Sequence, residues 1–555
     1  LHHKIYKLMK KIYQTLLLAL SLGAATAQTA FWTPTTYKGA FDCTANMWTD
    51  NWTNFDPQNT NYPAPTTTVS ANITSNTTWA TGQTVFLNGQ IYVTGNSVLT
   101  IQPGVVIRVS SVIAGSSLII TKGSQLQAMG TASQPIVFTS DKAAGSRGVG
   151  DWGGIIILGQ ATNNLPGGLG NIEGLPIGIN SEHGGTNDND NSGTLAYVRN
   201  EFGGYPYQIN KEINAFTFGS VGKGTTVHHL QTSFNNDDSY EWFGGTVDAK
   251  YLVAFRDLDD NFDCDNGFRG NVQFGLIVRD PALADNPSIS TSEGFECDND
   301  AGGTAATPKT SPVFSNITAI GPYRGSSATS VASGYRRAAR LRRNCEVKIF
   351  NSVFTDFKNG LFVDGTACDA NAGTGTLKFK FNVVATTSGV SPKTVETTTA
   401  NTVVNPTWFA TQPNDSLITT AGLLVSPYNY TAGDYRPVCT STLLTGGANF
   451  SDPAFVAGGI TGVTDLGNVF KSSSLFPNPS NGETNLFISA ESNFNINVNV
   501  LSVTGQVVAT PYNNANVYEG NNSLPINTAD LAAGIYFVTV QYGTKTETIK
   551  LVVNK

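Results

Sequence analysis

The chain is short of charge. Asp, Glu, Lys and Arg make up 13% of its 555 residues, about half the ~25% usual for soluble domains. With 33 basic against 40 acidic residues the formal charge is only −7, so no basic footprint for nucleic acid is present. Long apolar runs are scarce too. The longest, Leu16 to Leu22, is well short of the ~20 residues that span a bilayer, which predicts a mature chain without a transmembrane anchor. Cysteine is limited to Cys43, Cys264, Cys297, Cys345, Cys368 and Cys439. No two have Cys-x-x-Cys spacing, which argues against a zinc ribbon or redox motif, while six thiols in an oxidising compartment leave 15 pairings open. Gly-x-Ser-x-Gly, His-Glu-x-x-His and the phosphate-binding Gly-x-x-x-x-Gly-Lys-[Ser/Thr] are all missing. The sequence therefore names no catalytic nucleophile.

Gly, Thr, Asn and Ser occupy the space that Lys and Glu would fill. Such residues, with Val and Ile, favour strands and turns over helices, and predict an all-β protein. The front reads as a signal peptide over 1–27. Lys4, Lys7, Lys10 and Lys11 precede the apolar run, and Ala25-Thr26-Ala27 places the cut before Gln28. Met9 is the expected natural start.

From about Thr81 to Asp465 short apolar strands alternate with Gly and Asn turns, as in Val105-Val106-Ile107-Arg108-Val109 and Pro135-Ile136-Val137-Phe138-Thr139. Units this short bury no face alone but build a continuous core when stacked. An internal repeat favours stacking over a sandwich. Tyr240-Glu241-Trp242-Phe243 is echoed by Phe262-Asp263-Cys264-Asp265, and again, after a longer interval, by Phe295-Glu296-Cys297-Asp298. The next register holds Ala339-Arg340-Leu341-Arg342. These four segments are expected to stack as successive rungs, with loops of variable length between them.

Stacked so, Trp242, Cys264 and Cys297 share an inward column. Asp263, Asp265, Glu296 and Asp298 point outward, with Glu241 a rung earlier and Arg340 and Arg342 a rung later. That outward column is the candidate metal site, with calcium as the implied cation. It reads equally as an ion-pair ladder capped by the arginines. Two other candidates are weaker. Asp188-Asn189-Asp190-Asn191-Ser192-Gly193 matches the first half of a calcium loop, but its twelfth position is Arg199 instead of Glu. His228 and His229 are adjacent, and strand alternation should send them to opposite faces.

Val105-Val106-Ile107, the run from Gly130 to Ser140, Gly150-Asp151-Trp152-Gly153-Gly154-Ile155 and Tyr240 to Val247 resemble secreted right-handed parallel β-helix proteins of Bacteroidetes. The C-terminal end of the chain resembles the type A C-terminal sorting domain of the type IX secretion system. The resemblance rests on Phe476-Pro477-Asn478-Pro479-Ser480-Asn481-Gly482, Val500 to Val508 with Gly505, Leu531 to Val538 with Gly534 and Tyr536, and Lys550 to Lys555. It implies a sorting motif at Pro477, Asn478, Pro479, Gly482, Gly505, Gly534, Tyr536 and Lys550. It also implies the type IX machinery as partner, outer-membrane translocation, and attachment to surface lipopolysaccharide or release.

The expected organisation is thus a signal peptide (1–27), an N-terminal segment and cap (28–80), a right-handed parallel β-helix or solenoid (81–465), a linker (466–474) and a small C-terminal β-sandwich (475–555). Two functions fit. One is a non-enzymatic adhesin, glycan-binding or surface-coat protein. The other is a calcium-dependent polysaccharide lyase or glycoside hydrolase, with Asp263, Asp265 and Glu296 near an arginine base such as Arg340.

Overall fold

The computed structural model describes residues 31–555 apart from 208–211, 289, 327–329, 386–392, 418, 448–449, 451, 457–469, 491–493, 503–505, 518–519 and 543–544. The expected signal peptide and its cleavage point lie outside the described residues. The chain divides into two compact units, Leu1–Ile460 and Thr461–Lys555.

The first unit is a right-handed parallel β-helix. One wall is a ten-stranded parallel sheet that runs from Gln90–Val93 to Lys393–Glu396. Its middle contains the strands that the sequence repeat marks out. Tyr240 pairs with Phe262 and Phe262 with Phe295, while Glu241, Asp263, Glu296 and Arg340 are successive register partners. The unequal steps from Tyr240 to Phe262 and from Phe262 to Phe295 are therefore each one true rung. The surplus residues of the longer step leave the wall as a loop, which solenoids tolerate because each rung contacts only its neighbours.

Side chains of these strands alternate between core and exterior. Tyr240, Trp242, Phe262, Cys264, Phe295 and Cys297 are fully buried. Rings from successive rungs stack, Phe216 on Tyr240 at 5.5 Å and Phe218 on Trp242 at 5.8 Å between centroids. Where the wall turns, Gly154 has no room for a side chain, since a Cβ would lie 1.9 Å from the Asn214 carbonyl oxygen.

The rest of each rung belongs to a second parallel sheet, of 17 strands. It contains five long strands: Gly193–Glu201, Thr226–Ser233, Ala249–Phe255, Asn271–Val278 and Val313–Ile320. Each bends at a residue with positive φ: Tyr197 (53°), His229 (54°), Tyr251 (61°), Phe274 (63°) and Asn316 (60°). Non-glycine residues rarely adopt this conformation because Cβ crowds the carbonyl oxygen. Here the rings stack in a column, Tyr197 on His229 at 4.3 Å, His229 on Tyr251 at 4.4 Å and Tyr251 on Phe274 at 5.1 Å.

Residues 31–62 form a strap across this column, and from Ala40 onward it runs against the direction in which the rungs grow. Gln273 exchanges two hydrogen bonds with the Thr33 backbone, and the Ala40 N–H donates to Thr318 Oγ1. Further along, Trp52 meets Tyr197 and His229 edge-on, and the Tyr62 hydroxyl donates to Glu201 at 2.7 Å. A disulfide between Cys43 and Cys439 ties the strap to the end of the unit. The parallel sheet itself begins with Thr67–Val69 and ends with Asp415–Leu417.

The second unit is a small β-sandwich. Three antiparallel strands, Phe470–Phe476, Glu483–Ala490 and Gly520–Asn527, form one sheet. Four more, Phe494–Ser502, Val507–Val517, Gly534–Tyr542 and Lys545–Val553, form the other. Leu486, Ile488, Val498, Val500, Val538, Val540 and Leu551 fill its core.

Candidate functional site

The outward face of the ten-stranded wall is the floor of a cleft of 660 Å³. Glu241, Asp263 and Glu296 lie on the floor in register, and Asp265 and Asp298 continue it. The loops entering successive strands supply Asp237, Asp238, Asp259 and Asp260. One oxygen of each inner loop carboxylate holds the next rung in place. Asp238 Oδ1 accepts the Asp260 N–H at 2.9 Å, and Asp260 Oδ1 accepts the Glu293 N–H. In all the cleft is lined by twelve carboxylates, Glu173, Glu212 and Asp285 included, and by two arginines, Arg342 and Arg343.

Three groups of carboxylates converge closely enough to share a cation. They are Asp237, Asp238 and Asp259; Asp238, Glu241 and Asp263; and Asp260, Asp263 and Glu296, with the oxygens of each group within 4.8 Å of one another. Asp238 belongs to two groups and Asp263 to two, so the three positions form a chain with bridging ligands. Hard divalent cations such as calcium take six to eight oxygen ligands, often from carboxylates.

Burial is the main cause, and the neighbouring carboxylates the second, of carboxyl pKa values well above the ordinary range at Asp237, Asp238, Glu241, Asp259, Asp260 and Asp263. Asp265 is pushed up to about 7 by burial and the charge of Asp298. Burial also raises Glu296 to about 7, against the opposing pull of Arg342.

The arginines stand at one end. Arg340 pairs with Glu296 at 3.2 Å and with Asp364 at 2.7 Å. Arg342 pairs with Glu296 and, at 2.7 Å, with Asp298, which also takes Arg343 at 2.6 Å. Both readings of the column are thus present at different ends. Asp298 and Glu296 are capped, whereas no ion pair with Lys or Arg joins Asp237, Asp238, Glu241, Asp259, Asp260 or Asp263 among the described residues.

In the C-terminal unit the Pro477-Asn478-Pro479 loop grips the last strand. Asn478 Nδ2 donates to the Lys550 carbonyl at 2.7 Å, and its Oδ1 accepts the Val552 N–H at 2.9 Å. Gly482 turns the chain with φ 89°. Gly534 opens the strand that pairs with the terminal one, Phe537 opposite Lys550, and the Tyr536 hydroxyl donates to the Ala532 carbonyl at 3.0 Å. Gly505 lies outside the described residues.

Residues 71–420 match the family model described as a pectate-lyase-like β-helix domain. The chain belongs to that family. Residues 474–554 match the secretion system C-terminal sorting domain, so the protein is a type IX secretion cargo, delivered to the cell surface or the medium. No curated protein matches the chain. No helix among the described residues is long and apolar enough to cross a membrane.

Every carboxylate of the three convergent groups falls within the matched β-helix domain. Of the four ligands expected from sequence, Asp263 and Glu296 belong to these groups, while Asp265 and Asp298 line the same cleft. Asp237, Asp238, Asp259 and Asp260 escape the sequence reading, although a signal is present. The interval from Asp238 to Asp260 equals that from Tyr240 to Phe262, so these acids follow the same repeat.

Two other candidates of this domain turn out differently. The Asp188 loop is a structural clamp. Asp188 Oδ1 accepts from the Thr162 N–H and hydroxyl, its Oδ2 pairs with Arg269 at 3.0 Å, and the half-loop runs straight into the strand Gly193–Glu201. The opposite-face reading of the histidines is corrected. Because His229 has φ 54°, alternation fails there, and the Nδ1 atoms of His228 and His229 meet at 2.9 Å. Burial lowers the pKa of both, consistent with a neutral pair in which one ring donates to the other.

Proposed function

We propose that the protein is a secreted, non-enzymatic glycan-binding protein that holds divalent cations, calcium foremost, in the carboxylate cleft and presents them to an acidic polysaccharide. The observation that carries this reading is the chain of three carboxylate groups joined through Asp238 and Asp263. A cation ligated on one side by the wall keeps coordination positions toward solvent, where a uronate carboxylate can complete its shell. Export to the cell surface or medium is compatible with this reading.

The lyase reading is favoured by arginines beside the acidic column. Against it, Arg340, Arg342 and Arg343 are each ion-paired with a carboxylate. A base must be free to take a proton from substrate, and these guanidinium groups are already engaged by carboxylate oxygens.

The test is retention of mature protein on immobilised polygalacturonate and alginate, with calcium and with chelator. The binding reading expects calcium-dependent retention and no unsaturated oligosaccharides. Release of unsaturated products would establish the lyase instead, and retention indifferent to chelator would remove the cation from the account.

A further inference from the structure

Four buried cysteines stand apart from the Cys43–Cys439 bridge: Cys264, Cys297, Cys345 and Cys368. Cys264 and Cys297 are register partners on neighbouring parallel strands. Their side chains leave the sheet in the same direction, which opposes the crossed geometry of a disulfide. Cys345 and Cys368 are placed otherwise. Cys345 lies beyond the strand Arg337–Leu341, and Cys368 in the first turn of the helix Thr366–Thr374. Their sulfurs face each other at 3.9 Å, and Asn371 of the same helix already latches the two segments by donating to the Cys345 carbonyl at 3.0 Å.

The pair is chemically unequal. Hydrogen bonding from Cys345 lowers the Cys368 pKa, whereas burial raises that of Cys345. Both thiols are fully buried in the folded protein, so exchange with an external disulfide takes place before the helix packs down.

We propose that Cys345 and Cys368 are joined by a disulfide in the exported protein. The Cys368 thiolate attacks one sulfur of a donor disulfide of the thiol-oxidase class met in the periplasm, breaking the donor S–S bond and forming a mixed disulfide. Cys345 then displaces the donor's remaining sulfur and closes the bridge. Two electrons and two protons pass from the pair to the donor, which leaves as a dithiol. The bridge pins the turn that carries Arg342 and Arg343 to the helix whose Thr366 and Ala367 line the adjoining 350 Å³ pocket. It rests on thiol geometry alone and stands independently of cation binding.

The full chain, exported by its own signals and recovered from the surface or medium, is unfolded in guanidinium chloride with excess alkylating agent present, alkylated again after reduction, then mapped by mass spectrometry. The expected map shows Cys264 and Cys297 labelled before reduction and a Cys345–Cys368 linked peptide that vanishes on reduction. Labelling of both Cys345 and Cys368 without reduction overturns the proposal, as does a bridge from either to Cys264 or Cys297. In Cys368→Ser, Cys345 becomes a third labelled thiol; should it stay protected, the proposal fails. The wild-type map decides alone if that variant does not fold.

Discussion

Replacing Asp263 by Asn should reverse in sign depending on calcium. Asp263 is shared by two of the three carboxylate groups, its neighbours' oxygens within 4.8 Å. Two unit charges at that separation repel by ~3.5 kcal/mol at an effective dielectric of 20. In the cation-free protein retained protons relieve part of this, so a few kcal/mol is the most that each neighbour costs, against a whole-domain stability of ~5–15 kcal/mol. Asn keeps the shape and discards the charge. For a unit of about 400 residues the unfolding entropy makes 1 kcal/mol equal to roughly 1.2 °C of melting temperature. Chelated Asp263→Asn should melt roughly 2–4 °C above the chelated wild type. Calcium at a hundred times its dissociation constant adds ~2.7 kcal/mol per site, or about 3 °C, and the variant loses two such sites. With both of its sites lost, about 6 °C, against the roughly 2–4 °C gained, it should melt about 2–4 °C below wild type in calcium. Differential scanning calorimetry of the mature protein, with chelator and then with excess calcium, reads both. The same destabilisation in both conditions, or a wild type indifferent to calcium, would refute the reasoning.

Cation-free stability should fall as pH rises. Raised carboxyl pKa values mean that the folded chain keeps protons that the unfolded chain has released. The contribution is complete below the ordinary carboxylate range and is lost as pH climbs through the folded values, about 7 for Asp265 and Glu296. Melting temperatures from about pH 4 to 8 in chelator test this, and a rise over that window contradicts it. Cys43→Ser/Cys439→Ser removes a crosslink with a sequence separation of 396, worth about 6 kcal/mol in the chain-entropy account. It should lower the melting temperature by about 7 °C and shift the emission of Trp48 and Trp52 toward the red as the strap loosens; unchanged emission and melting would count against the strap. Deleting the chain from Lys550 onward removes both backbone partners of Asn478. The truncated protein should accumulate in the periplasm, and normal surface display would contradict the sorting role of the last strand.

The fold was legible because the repeat is carried by residues with one structural meaning. Tyr240, Phe262 and Phe295 must each be inward aromatics, so their spacing reported the rung length directly, and the loops did not blur it. The floor of the cleft followed from alternation within those strands. Its walls did not, since Asp237, Asp238, Asp259 and Asp260 lie in turns, where strand alternation does not apply. Their own recurrence, in step with Tyr240 and Phe262, was the available clue. Alternation also failed at His229, because a positive φ in mid-strand leaves no mark on composition. The strap was invisible for a different reason: residues 31–62 acquire their partners only once several rungs exist to lay them against. The pairing of Cys43 with Cys439 depends on that same late contact, and no spacing argument reaches across a separation of 396.

Titration calorimetry of chelator-stripped mature protein with calcium is the most direct measure of the central claim. Saturable binding is expected with a dissociation constant of about 0.1–1 mM or tighter, as in extracellular calcium modules, together with proton release, read as an apparent binding enthalpy that changes with the buffer's ionisation heat. Asp263→Asn should remove the two sites that share Asp263 and leave the one formed by Asp237, Asp238 and Asp259. No saturable binding by the wild type at millimolar calcium, with its carboxylate cleft intact, would contradict the account.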